Sequence, residues 1–364
     1  MRIEKSCHGA ESIRMQSVSY TVKYNPTYSL TEALTQIWQS VLQRSAIREE
    51  DNFFDVGGNP LLAVRLFDEI AKATGREMPP LAIYHAPTIA ALAAILEQHS
   101  LPKFSPLVPL KSGEAEPPVF AAHGLGGSVM EFFGLVEKVQ TRRPIYGLQA
   151  MGADGADIAF ERIEDMAQFY LEAVQQRQPH GPYLLMGYSL GGLVALEMAQ
   201  RLSSMGEKIS LLTMLDAYPY ESFLGLWQRA RLVPRLVKHH AWIMKQLSAR
   251  QALSYVLHPA ERALLSPRRG AENFVRSPFT VPMRQARDRA YVALTRYQPR
   301  PYSGKVKFVK AAAKSVFPGD PAAVWKRWVN DLEVETVPGD HHAILSERFS
   351  SLASVLSRHL REVN

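Results

Sequence analysis

Cysteine is all but absent: Cys7 is the only one in 364 residues, so no disulfide can close within the chain. A reducing, cytoplasmic setting is the expectation that follows. No stretch approaches the roughly 20 consecutive apolar residues of a membrane span, and no apolar run of signal-peptide length opens the sequence. Histidine and cysteine groupings at zinc spacing are lacking too, so no metal is expected. Internal repeats and low-complexity tracts are missing. What is present is ordinary for a folded protein: 46% hydrophobic residues, enough for a sizeable core, on a chain long enough for two domains.

The net charge of +7 invites a nucleic-acid reading, but its distribution argues against one. Residues 221–300 hold fifteen Arg and Lys against Glu221, Glu261, Glu272 and Asp288, whereas residues 30–98 hold nine acids against five bases. No segment pairs basic residues with aromatic stacking positions, so nucleic acid is excluded as a partner. The basic region reads as a surface for an acidic protein or a phosphate, or as a solvated helical face.

Residues 30–98 have the pattern of a small helical bundle. Leu34, Ile37, Trp38 and Val41 fall at helical spacing, and Phe53, Phe54 and the Gly57-Gly58 pair mark a packed loop. A second helix begins near Pro60, with Leu62, Leu66, Phe67 and Ile70 on one face, and a last helix follows Pro87-Thr88. The stretch DNFFDVGGNPLLA, together with IYHAPTIAALAAIL, resembles the carrier domains of nonribosomal peptide and polyketide synthases. In that family the pattern runs D-x-F-F-x-x-G-G-x-S-L, and its serine accepts the phosphopantetheine arm. Pro60 occupies the serine's place and offers no hydroxyl. The fold is not threatened, because Asn59 is a favoured N-cap and proline is tolerated at the first helical position. A four-helix carrier-like bundle that binds no covalent cofactor is the expectation. Ser45 is the other hydroxyl that could hold an arm.

A proline-rich linker, 99–117, runs into an edge strand, and residues 1–29 are expected to form a partly disordered extension. The second domain, 118–364, is marked by GPYLLMGYSLGGLVALEMAQRL. An apolar strand from Tyr183 leads into Gly187-Tyr188-Ser189-Leu190-Gly191, and helical periodicity follows. That is the G-x-S-x-G elbow of the α/β-hydrolases, in which small neighbours permit a turn too tight for side chains and leave the serine exposed at a helix N-terminus.

A serine hydroxyl needs a base, and the base needs an acid to fix its tautomer. Near the C-terminus, EVETVPGDHHAIL ends a strand at His341 and His342. Resemblance to the thioesterase pattern G-D-H-F favours His341 as the base, with His342 in the aromatic position. Two acids compete. Asp216 follows the strand ISLLTML, where thioesterase domains of peptide and polyketide synthases carry their acid. Asp320 follows the next strand, where many other α/β-hydrolases carry theirs. Asp216 is favoured, and Asp340, adjoining His341, is poorly placed to reach its ring.

Oxyanion stabilisation calls for two backbone donors. The resemblance points to the amides of Leu190, next to the serine, and Leu125, in the loop PPVFAAHGLGGS. The same loop lacks the spacing of a dinucleotide fingerprint. Between about 217 and 297 the helical pattern resembles the lid of synthase thioesterases.

The resemblance thus implies an α/β-hydrolase with a mostly parallel sheet and helical lid, preceded by a small all-α carrier-like bundle. Its activity would be hydrolysis, or cyclising release, of acyl or peptidyl chains. These would arrive on the 4'-phosphopantetheine arm of a partner carrier protein or synthase module. A carboxylesterase or lipase-like hydrolase, and a docking scaffold without chemistry, are the alternatives.

Overall fold

The computed structural model describes residues 29–76, 78, 80, 82–98, 105–114, 116–150, 160–220, 281–313, 320–346 and 348–363. The expectations for the N-terminal extension, for residues 99–104 and for residues 221–280, which include most of the lid and of the basic excess, lie outside them.

The first body is a helical bundle of α1 (Leu30–Leu42), α2 (Pro60–Thr74), the single turn α3 (Ala82–His85) and α4 (Ile89–Glu97). Local chemistry sets each start. Ser29 and Glu32 form a reciprocal capping box at α1, and Thr88 accepts from the Ala91 amide at α4. Asn59 Oδ1 accepts from the Leu62 amide at 3.0 Å, and Pro60 enters at the first position of α2 as its fixed φ permits. Leu34, Ile37, Trp38, Phe53, Leu66, Ile70 and Leu92 are buried together. The Trp38 and Phe53 rings meet edge to face with centroids 5.2 Å apart. Gly58 is required by that packing: a Cβ there would lie 2.4 Å from the Phe53 ring.

The second body is a seven-stranded sheet of β1 (Leu107–Lys111), β2 (Val119–Ala122), β3 (Ile145–Leu148), β4 (Tyr183–Tyr188), β5 (Ile209–Leu215), β6 (Tyr302–Ala311) and β7 (Val329–Val337), in the order β1-β3-β2-β4-β5-β6-β7. All neighbours are parallel except β1, which falls in the stretch read as linker and pairs antiparallel with β3 at the sheet edge.

Strand alternation divides the core into two layers. Leu184, Met186 and Tyr188 of β4 face one way with Val119 and Ala121 of β2, whereas Tyr183 and Leu185 face the other way with Phe120 and Ala122. The second layer packs under α6 (Ile163–Arg177), α7 (Leu190–Ser204) and α8 (Val281–Arg296). The first packs under α5 (Phe133–Lys138), the short α10 (Ala343–Ser346) and α11 (Phe349–Arg361). A further short helix, α9 (Pro321–Trp325), precedes β7. The buried cluster of the first layer continues without a break into the core of the helical bundle, whose α3 lies against β1. No helix among the described residues is long and apolar enough to cross a membrane.

Candidate active site

Ser189 stands at the joint between β4 and α7 with φ 55° and ψ −118°, a backbone region that a residue with a side chain rarely holds. Its neighbours impose this. The Ser189 amide is tied to the Leu215 carbonyl at 2.9 Å, and α7 begins at the next residue. A Cβ at Gly187 would sit 2.0 Å from the Gly191 carbonyl oxygen, and one at Gly191 would sit 2.2 Å from the Ala122 carbonyl oxygen. The elbow therefore closes only with glycine on both sides, as the sequence pattern anticipates.

Asp216, one residue past β5, also has a positive φ, 45°, which turns its side chain out of the strand direction. Its carboxylate is 3% exposed; Oδ1 accepts from the Ala311 amide at 3.1 Å and Oδ2 faces His341 Nδ1 at 2.8 Å. His341 Nε2 lies 3.0 Å from Ser189 Oγ. The geometry calls for the tautomer in which Nδ1–H donates to Asp216, leaving Nε2 to accept the serine hydroxyl.

The other sequence candidates lie elsewhere. Asp320 caps α9 by accepting from the Ala322 amide, and Asp340 accepts from the His342 and Ala343 amides at the start of α10. The His342 side chain is exposed and meets the His341 ring edge to face. Leu190 is buried at the first position of α7, and Leu125 is half-buried in the loop after β2. Neither amide donates to a protein acceptor among the described residues, which leaves both available to a developing oxyanion.

Three residues escaped the sequence reading. Tyr188 lays its ring parallel to that of His341, with centroids 4.9 Å apart, and its hydroxyl donates to the His341 carbonyl at 2.5 Å. His123, at the end of β2, is buried between the Gly124 carbonyl and the Tyr170 hydroxyl, and burial lowers its pKa to about 4. Glu131, on the 3-10 helix Val129–Phe132, accepts the Gly124 amide, and the burial of its carboxyl raises its pKa to about 8. The position after a glycine in G-x-S-x-G was a signal for Tyr188; the other two contacts join residues with no motif between them.

Residues 117–360 match the model of the family described as Thioesterase domain. The chain belongs to that family. Residues 32–96 match the model described as Phosphopantetheine attachment site, so the thioesterase domain follows a carrier-type domain. The chain is 41% identical over 189 residues to a dimodular nonribosomal peptide synthase of Bacillus subtilis, covering 52% of this chain and 8% of that protein. It is 29% identical over 360 residues to a probable non-canonical nonribosomal peptide synthetase of Salinispora arenicola, covering 97% of this chain and 5% of that one. The fold is similar to a crystal structure of a four-domain nonribosomal peptide synthetase bound to AMP and glycine, at a TM-score of 0.56 and 26% identity, covering 96% of this chain and 27% of the other. The chain thus spans a small part of the length of the synthases it matches.

The carrier-type domain does not fit the arm its family name implies. Phosphodiester formation needs a hydroxyl at the start of α2, and that helix begins Asn59-Pro60 with the Asn59 side chain engaged in capping.

Proposed function

We propose that this protein is a serine thioesterase that takes acyl or peptidyl chains in trans from phosphopantetheine thioesters on other carriers. Ser189 Oγ attacks the thioester carbonyl while His341 Nε2 takes its proton, and Asp216 holds the imidazole and stabilises its charged form. The Leu125 and Leu190 amides receive the oxyanion. The carbon–sulfur bond then breaks, the arm's thiolate leaves with the proton held by His341, and the acyl group remains on Ser189 as an ester. Water, or a nucleophile within the acyl chain itself, gives its proton to His341 and attacks that ester; the bond to Ser189 Oγ then breaks, His341 returns the proton to Oγ, and an acid or a ring is released. A partner carrier must supply the arm, because Pro60 has no hydroxyl for one. A reducing, cytoplasmic compartment suits both that free thiol and the single cysteine.

The observation that supports this reading is the unbroken line of hydrogen bonds from Asp216 through His341 to Ser189 Oγ, at 2.8 and 3.0 Å. A fluorophosphonate probe tests it. One label per chain is expected, and Ser189→Ala should remove both the label and hydrolysis of an acyl-pantetheine thioester, a loss on the order of 10⁴ to 10⁶ in rate. An unlabelled wild-type protein would turn the reading towards a docking scaffold.

A further inference from the structure

A carrier that ferries an arm between sites has to leave each partner after visiting it. The carrier-like domain of this chain has no such need, and its seat on the thioesterase domain is apolar and continuous with the core of both. Phe54, from the loop before α2, packs its ring on Tyr84 at 4.8 Å within its own domain and on Phe133 of the thioesterase domain at 5.8 Å. Phe133 begins α5 directly after the 3-10 helix that carries Glu131.

From there a packed series reaches the reacting groups. A Glu131 carboxyl oxygen accepts from the Gly124 amide, one residue before the Leu125 amide. Gly124 is wedged between two walls: a Cβ on it would lie 2.8 Å from the Tyr188 ring and 3.1 Å from both Glu131 oxygens. The Tyr188 ring in turn lies parallel on His341. Carrier-like domain, α5, oxyanion loop and histidine therefore form consecutive layers.

We propose that the carrier-like domain is a fixed buttress of the oxyanion loop, acting through Phe54 on Phe133 and from there through Glu131 on the Gly124 amide. This rests on the assignment of Ser189 and the Leu125 amide made above. Glu131 is a positioning residue in this scheme: it touches no substrate and acts by holding the loop.

The test uses the full chain and two readouts that need no partner carrier: the rate of fluorophosphonate labelling, and hydrolysis of a soluble acyl thioester of N-acetylcysteamine. Phe54→Ala and Phe133→Ala should each lower kcat about tenfold, a fraction of the roughly 10²- to 10³-fold loss that follows removal of an oxyanion donor. KM, and the shape of the pH–rate profile, should stay in place. The double variant should be no slower than the worse single one, because both remove the same contact. Glu131→Ala should lower kcat in the same way and Glu131→Gln, which keeps an acceptor oxygen, should restore it. Should Phe54→Ala fail to fold, Phe133→Ala and the Glu131 pair carry the test from the thioesterase side. Wild-type labelling with folded variants that react at the wild-type rate would overturn the buttress and leave the thioesterase reading standing. A wild-type protein that takes no label would overturn both.

Discussion

The two domains of this chain stand in opposite relations to their families' patterns: the carrier-like domain departs from its own at Pro60, and the thioesterase domain keeps its own at Ser189. At the start of α2 the carrier-like domain holds an unstrained, well-capped helix on Asn59-Pro60 and no reactive atom. At the start of α7 the thioesterase domain holds Ser189 in a strained conformation, with its hydroxyl 3.0 Å from an imidazole. Each is a helix N-terminus with glycine just before it, reached from a loop at α2 and directly from β4 at α7. Strain is retained where a nucleophile must be presented and is absent where only packing remains. A fold and its chemistry separate easily where the helix start needs only a cap and a tolerated first residue, as at Asn59-Pro60, and with difficulty where the turn that presents the reactive group is itself the sheet-to-helix joint.

The comparison breaks first at the reactive positions. Incubation with coenzyme A and a broad-specificity phosphopantetheinyl transferase should leave the mass of the protein unchanged, and Pro60→Ser should allow a shift of the arm's size. A shift in the unaltered protein would mean that another hydroxyl, such as Ser45, carries the arm. On the thioesterase side, Asp216→Asn should cut thioester hydrolysis by about 10⁴, the loss expected when an imidazole is held in the wrong tautomer. Asp320→Asn should leave the rate within a few-fold, because that carboxylate caps α9. The reverse ranking would move the acid to the later strand.

Smaller effects sharpen the account of the joint. Gly191→Ala should destabilise the thioesterase domain by about 1–3 kcal/mol, measured by denaturant unfolding, since its methyl meets the backbone of β2 and neither partner can step aside. Tyr188→Phe keeps the ring on His341 and removes the hydroxyl's bond to the His341 carbonyl. A hydrogen bond of about 1 kcal/mol corresponds to a roughly fivefold fall in kcat if it is made only in the productive geometry.

Stability against pH reads two titrating groups in and beside the loop after β2, the buried His123 and the partly buried Glu131. Glu131 is raised by burial from 4.5 to about 8, so the folded chain binds its proton more tightly than the unfolded one, and stability falls as pH rises through that interval. His123 is lowered by burial from 6.5 to about 4, so its contribution is lost as pH falls through that interval. Glu131→Gln should flatten the decline in Tm between pH 6.5 and 8, where the His123 shift no longer contributes, and a decline that persists unchanged would remove Glu131 as its source. The smallest effect is expected at the domain contact. The Tyr84 hydroxyl is buried without a hydrogen-bond partner among the described residues, so Tyr84→Phe should leave Tm unchanged or slightly higher.

Much of this was legible from local signals. Capping residues and apolar spacing placed α1, α2 and α4, and the strand, tight glycine turn and helix around Ser189 are all encoded within a few residues of each other. The acid was not legible in the same way. Asp216 and Asp320 both follow strands, and nothing in either neighbourhood says which strand end opens beside the histidine. The structure brings Asp216 to His341 because β5 lies next to β4 and because the Ala311 amide, from β6, steadies its carboxylate. Asp340 is turned instead to the start of α10, where its Oδ1 accepts from the His342 and Ala343 amides.

By itself the sequence determined two things about this protein: that Ser189 stands on an elbow that only glycines allow, and that Pro60 leaves its carrier-like domain without a hydroxyl at the start of α2. Both depend on covalent identity at a single position and its immediate neighbours. The residues around each acid did not say which meets the histidine, and only the resemblance favoured Asp216; that contact, like those of Phe54 with Phe133 and of Glu131 with Gly124, is made by tertiary structure. Those contacts depend on the order of strands in the sheet and on the seating of one domain on another, which sum weak apolar contacts across the whole chain and leave no mark at any one residue.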